Sequence, residues 1–70
     1  MPYVNVKITP DGATQEKKER LIAGITGLLV DLLGKDPEST FVLIDVVETE
    51  DWGFRGESVK ARRTRDEANR

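Results

Sequence analysis

An α/β fold built on one strand–helix–strand unit is predicted by three features of this 70-residue chain. The first residues alternate apolar and polar with a period of two. The middle repeats its apolar residues with a helical period. A later stretch is apolar on both faces, the pattern of a strand covered on both sides.

The first strand runs from Pro2 to Thr9, with Val4, Val6 and Ile8 on one face and Tyr3, Asn5 and Lys7 on the other. Pro10-Asp11-Gly12 ends it with turn chemistry. From Gln15 to Leu33 the residues Leu21, Ile22, Ile25, Leu28, Leu29, Leu32 and Leu33 form one wide apolar stripe of a helix. Thr14 suits the N-cap, and Glu16 favours the positive end of the helix dipole. Gly34 suits a left-handed stop, and Pro37 bars continuation. Gly24 and Gly27 are anomalous within this helix, because each costs about 1 kcal/mol relative to alanine. Close packing on their face is the expected reason.

Thr40 to Val47 forms the second strand, with Phe41, Val42, Leu43, Ile44, Val46 and Val47 interrupted only by Asp45. Right-handed strand–helix–strand connections make the two strands parallel and place the helix over one face of the sheet. The other face stays bare. At about 25 cal/mol per Å² of apolar surface, leaving it wet forfeits several kcal/mol. A chain this short also has a marginal core of its own. Self-association is therefore expected.

Cysteine and histidine are both absent, which removes disulfides, thiol nucleophiles, imidazole catalysis and the usual zinc ligands. Charged residues make up 34% of the chain but nearly cancel at a net −2, so no global field points to nucleic acid. No apolar run approaches the ~20 residues of a membrane span, and the first residues do not resemble a signal peptide. A single domain over residues 1–70 in the cytoplasm is expected, with no nucleic-acid or membrane partner and an end that frays from about residue 64.

Glu48 to Glu57 reads as a glycine- and aromatic-bearing turn or hairpin, in which Gly53 and Gly56 are candidates for positive φ. The segment from Val59 onward is strongly polar. Its early part is a candidate for pairing with a neighbouring subunit, and Lys60 to Arg65 is a candidate basic contact site.

The remaining acid–base candidates are carboxylates, lysines, Tyr3 and the amino terminus. Asp45 stands out among apolar strand residues, where a hydrogen-bonded or interface-paired carboxylate is the expected role. Pro2 is the sharper candidate. Loss of Met1 would expose a secondary amine, and an α-amino group has a reference pKa of about 7.7–8.0. An apolar, cationic pocket lowers such a value, since both effects disfavour the charged form. A fall from about 8 to about 6.5 raises the free base at pH 7 from about a tenth to about three quarters. That is a suitable range for general acid–base work.

The Met1-Pro2 start, with Pro2 opening a strand, and the segment Trp52-Gly53-Phe54-Arg55-Gly56-Glu57 at its distance from it together resemble the 4-oxalocrotonate tautomerase family. The resemblance runs from Pro2 to about Arg63. It implies a βαβ chain that assembles into an oligomer, with a hexamer favoured, and works without metal or organic cofactor. It also implies that the Pro2 nitrogen shuttles a proton between the enol oxygen and a carbon of a 2-hydroxydienoate or enol-pyruvoyl acid. Trp52 matches the aromatic residue that lines the family's pocket. The family's two substrate-binding arginines have no counterpart, since their positions fall at Gly12 or Ala13 and at about Val42. Arg55, where the family has a small residue, is the candidate replacement, with Arg62 and Arg63 following. Two other readings stand beside this one: a hydratase or dehalogenase using a protonated Pro2, and a non-catalytic oligomeric interaction module.

Overall fold

The computed structural model describes residues 1–69. Strand β1 (Tyr3–Ile8) leads through a turn into helix α1 (Gln15–Leu33), which returns to strand β2 (Phe41–Val46). A short hairpin, β3 (Gly53–Phe54) and β4 (Glu57–Ser58), precedes a second helix, α2 (Val59–Ala68). Single 3-10 turns at Pro37–Ser39 and Thr49–Asp51 flank β2.

Both ends of α1 are set locally. The Thr14 hydroxyl accepts from the Lys17 backbone N–H at 3.2 Å. At the other end Gly34 has φ 65°, and the N–H groups of Gly34 and Lys35 cap the carbonyls of Val30 and Leu29. Pro37 occupies the first turn of its 3-10 segment, where a missing N–H costs nothing.

β1 and β2 pair in parallel, Tyr3 opposite Phe41 through Ile8 opposite Val46. α1 packs on β2 and covers the face bearing Val42 and Ile44, with Ile25 and Leu29 turned toward it and half-buried. The face bearing Tyr3, Asn5, Lys7, Phe41, Leu43 and Asp45 is open. Phe41 remains 51% exposed and Leu43 49%. The apolar stripe of α1 is likewise only partly used, for Leu28, Leu32 and Leu33 stay exposed. Gly24 and Gly27 have no close neighbour in this chain: a Cβ built on either meets nothing within 4 Å.

Consequently no described side chain is fully buried. The Cα radius of gyration is 16.2 Å, whereas a compact 70-residue domain has about 11 Å. The accessible surface is 5477 Å², about 1,100 Å² more than a compact monomer of this mass presents.

The hairpin and the polar end differ from the sequence expectation. Positive φ falls on Arg55 (54°) and Gly56 (84°), not on Gly53. The pairing of Phe54 with Glu57 leaves Arg55-Gly56 as the two-residue loop, and a loop with both central φ values positive matches strand twist. Residues expected to fray from about 64 continue α2 as far as Ala68, while Arg70 lies outside the described residues. The Ser58 hydroxyl caps α2 by accepting from Ala61 N–H at 3.0 Å. Two bidentate ion pairs tie the helix down: Arg63 to Asp11, both contacts 3.1 Å, and Arg65 to Glu57 at 2.9 and 2.8 Å. Two of the cations in the basic stretch are thus engaged within the chain.

Candidate active site

Pro2 sits immediately before β1, and its carbonyl accepts from Phe41 N–H at 3.0 Å. The sheet therefore holds this residue at the end where both parallel strands begin. Met1 beyond it is 87% exposed.

Trp52 lies at the opposite end. Its indole N–H donates to the Val47 carbonyl at 3.0 Å, just past the last residue of β2. Val47 N–H in turn donates to the Ile8 carbonyl at 2.8 Å, so the indole is carried beside the end of β1. A six-residue strand spans about 20 Å. One chain therefore does not bring Pro2 and Trp52 together. They stand at opposite ends of the same two strands.

Beside Trp52 a cleft of about 400 Å³ opens between the β1–α1 turn and the start of α1. Ile8, Leu21 and Trp52 give it apolar walls, and Thr9, Asp11, Gly12 and Ala13 form its turn side. Three cations line it as well: Lys7, Lys17 and Lys18. The two helix lysines were not singled out in the sequence, because charges in a first helical turn ordinarily face water.

The electrostatics around the cleft are largely settled within the chain. Asp11 accepts two bonds from Arg63 and one from the Thr9 hydroxyl at 2.6 Å, which pull its carboxyl down to about 2. Asp45 takes the structural role expected of it. Lys7 Nζ at 2.8 Å and Asn5 Nδ2 at 2.9 Å both donate to Oδ2, and they hold its pKa below the ordinary carboxylate range. Lys7 is raised by the same pairing. Lys7 and Asp45 face each other directly across the strands, so the parallel register itself makes the pair.

Arg55 projects from the hairpin and does not line the cleft. Its guanidinium lies 5.4 Å from the centre of the Phe54 ring, and that of Arg62 lies 5.1 Å from the same ring. Neither has an ion-pair partner among the described residues.

A short parallel βαβ chain with an open sheet face, a proline just before its first strand and an aromatic-walled cleft has the architecture of a small βαβ isomerase. The chain belongs to the tautomerase family, whose model, described as a tautomerase enzyme, matches residues 2–62. It is 62% identical over 63 residues to a probable tautomerase K2 of Dickeya dadantii (strain 3937), covering 90% of this chain and 94% of that protein. A probable tautomerase of Helicobacter pylori (strain ATCC 700392 / 26695) is 43% identical over 61 residues, covering 84% and 90%. Among solved structures, DmpI from Helicobacter pylori aligns with a TM-score of 0.79 at 40% identity, over 86% of this chain and 98% of that one. TomN, a 4-oxalocrotonate tautomerase homologue of the tomaymycin biosynthetic pathway, aligns with a TM-score of 0.83 at 25% identity, over 90% and 95%.

Proposed function

We propose that this protein is a cofactor-independent tautomerase that converts the enol form of a small 2-hydroxydienoate or enol-pyruvoyl acid to its keto form, with the Pro2 amine moving the proton. The observation that carries the reading is that Pro2 stands immediately before β1, tied to β2 through its carbonyl, inside a family match that begins at the same residue. Met1 must be removed first, since an acylated Pro2 nitrogen is a tertiary amide and no base. Its 87% exposure leaves it open to an aminopeptidase.

In the reaction the neutral amine accepts the enol O–H proton, and the O–H electron pair becomes the carbonyl π bond. The carbon–carbon π pair then takes a proton from the ammonium, which regenerates the base with no net gain or loss. Enclosure beside apolar and cationic groups favours the neutral amine that starts this cycle.

Trp52 is the pocket wall in this reading, and Arg55 is a candidate for the substrate's polar groups. Because Pro2 and Trp52 lie at opposite ends of the strands, a working site needs a second copy. A copy lying antiparallel along a sheet edge sets the Pro2 end of one chain against the Trp52 end of the other. The open sheet face and about 1,100 Å² of surplus surface support such a homo-oligomer, since a standard interface takes about 800 Å² per partner, and the family resemblance favours six chains.

The test is the ketonisation rate of phenylenolpyruvate by protein whose intact mass confirms loss of Met1. A rate above buffer that is abolished in Pro2→Ala is the expected result. Equal turnover by wild type and a verified Pro2→Ala protein refutes the mechanism.

A further inference from the structure

The cleft beside Trp52 has a cation budget that the chain's own carboxylates leave unspent. Lys7, the first of its three lysines, is held 2.8 Å from Asp45. The single acidic group on the cleft, Asp11, is taken by Arg63 and Thr9. Lys17 and Lys18 have no carboxylate partner among the described residues. Lys18 is also half-buried, its stem covered while its charged head can reach the cleft. The β1–α1 turn itself carries no cation to compete for an incoming anion, since Gly12 and Ala13 stand there.

We infer that Lys17 and Lys18 form the carboxylate-receiving edge of this cleft, and that it takes a small organic monoacid whose apolar body rests on Ile8, Leu21 and Trp52. The inference rests on the reading above that the substrate is an acid, and it names the groups that hold the acid end. Three considerations lead to it. Both lysines line the one cleft, so a carboxylate seated there meets two positive charges. The apolar walls lower the local dielectric, which strengthens an ion pair relative to one at an open surface. A lysine is a point charge without the planar fork of arginine. The cleft therefore selects for negative charge and apolar bulk rather than for bidentate geometry, and it suits a monocarboxylate with an aromatic or aliphatic body.

The chain's sole tryptophan lies in the cleft and reports on occupancy by its fluorescence. The probes are 3-phenylpropionate, which does not tautomerise, and its uncharged amide, titrated into full-length wild type, Lys17→Met/Lys18→Met and the control Lys35→Met. Methionine keeps the length and the helix propensity while removing the charge. The acid is expected to bind wild type and Lys35→Met alike, and the double variant about tenfold or more weaker. The amide is expected to bind all three proteins equally and more weakly than the acid binds wild type. Equal acid affinity in wild type and the double variant overturns the inference, as does equal affinity of acid and amide for wild type. Absence of acid binding to folded wild type overturns it too. Lysine-dependent acid binding without phenylenolpyruvate turnover keeps the inference and removes the catalytic reading. Pro2-dependent turnover with an unchanged KM in the double variant does the reverse.

Discussion

Replacing Leu43 by aspartate tests the open sheet face most directly. In the single chain Leu43 keeps 49% of its surface exposed, in the centre of the face that α1 does not cover. Full burial of a leucine contributes about 1.5–3 kcal/mol, so covering the exposed half contributes about 0.7–1.5 kcal/mol per copy. Aspartate forfeits that amount and adds the cost of enclosing a carboxylate, several kcal/mol when it is unpaired. A combined loss of about 3 kcal/mol per copy weakens association by more than about a hundredfold. If the chain stood alone, the same change would forfeit only the half already covered, about 0.7–1.5 kcal/mol of folding stability, and would leave the sedimenting mass unchanged. Sedimentation velocity at micromolar protein, with urea melts at several concentrations, separates the two cases. Wild type is expected to sediment as an oligomer with a concentration-dependent melt, and Leu43→Asp as a smaller species. A wild type that sediments at 7.8 kDa, or a Leu43→Asp protein of unchanged mass, would refute the reasoning.

Three further outcomes are expected. Asp11 sits at about 2 in the folded chain, below its unfolded value, so its pairing stabilises fully above pH ~4 and is lost as pH falls from about 4 to about 2. Asp11→Asn should narrow its stability deficit against wild type across that window in urea melts, and a deficit independent of pH contradicts the assignment. Arg55→Gly relieves a left-handed backbone at φ 54° and should raise folding stability by about 1 kcal/mol, while weakening substrate binding if Arg55 contacts it. A lower stability in that variant would mean that stacking on Phe54 outweighs the strain. Gly24→Ala should gain about 1 kcal/mol of helix propensity in an isolated chain, where its Cβ meets nothing. A copy packed closely on that helix face instead makes the change destabilising, and the latter is the expected melting result.

The elements most legible in the sequence are those whose ends are set by neighbours in the chain. Helix α1 begins and ends at the predicted residues because the Thr14 hydroxyl and the Gly34 backbone act within one turn. The strand patterns survive to within a residue or two, because period-two alternation follows from the pleat itself. Helix α2 was less legible. Its polar composition lacks an apolar period, although Ser58 was an N-cap signal three residues before Ala61. Of the two glycines expected to take positive φ, Gly56 does and Gly53 does not, because the pairing of Phe54 with Glu57, not glycine content, selects the loop residues.

Residue chemistry marked Pro2 as a candidate amine and indicated a sheet face that a single helix leaves uncovered, while the family resemblance added Trp52 as the aromatic wall. Tertiary structure decided where these stand. Parallel pairing carries Pro2 to one end of the strands, while the Val47–Ile8 contact carries Trp52 to the other. The same fold turns two ordinary helix lysines into the unpaired cations of a cleft, because Arg63, 52 residues away along the chain, has already taken Asp11. Local pattern determines which face of an element is apolar. What meets that face depends on contacts between residues distant in sequence, and those are set only when the whole chain is packed.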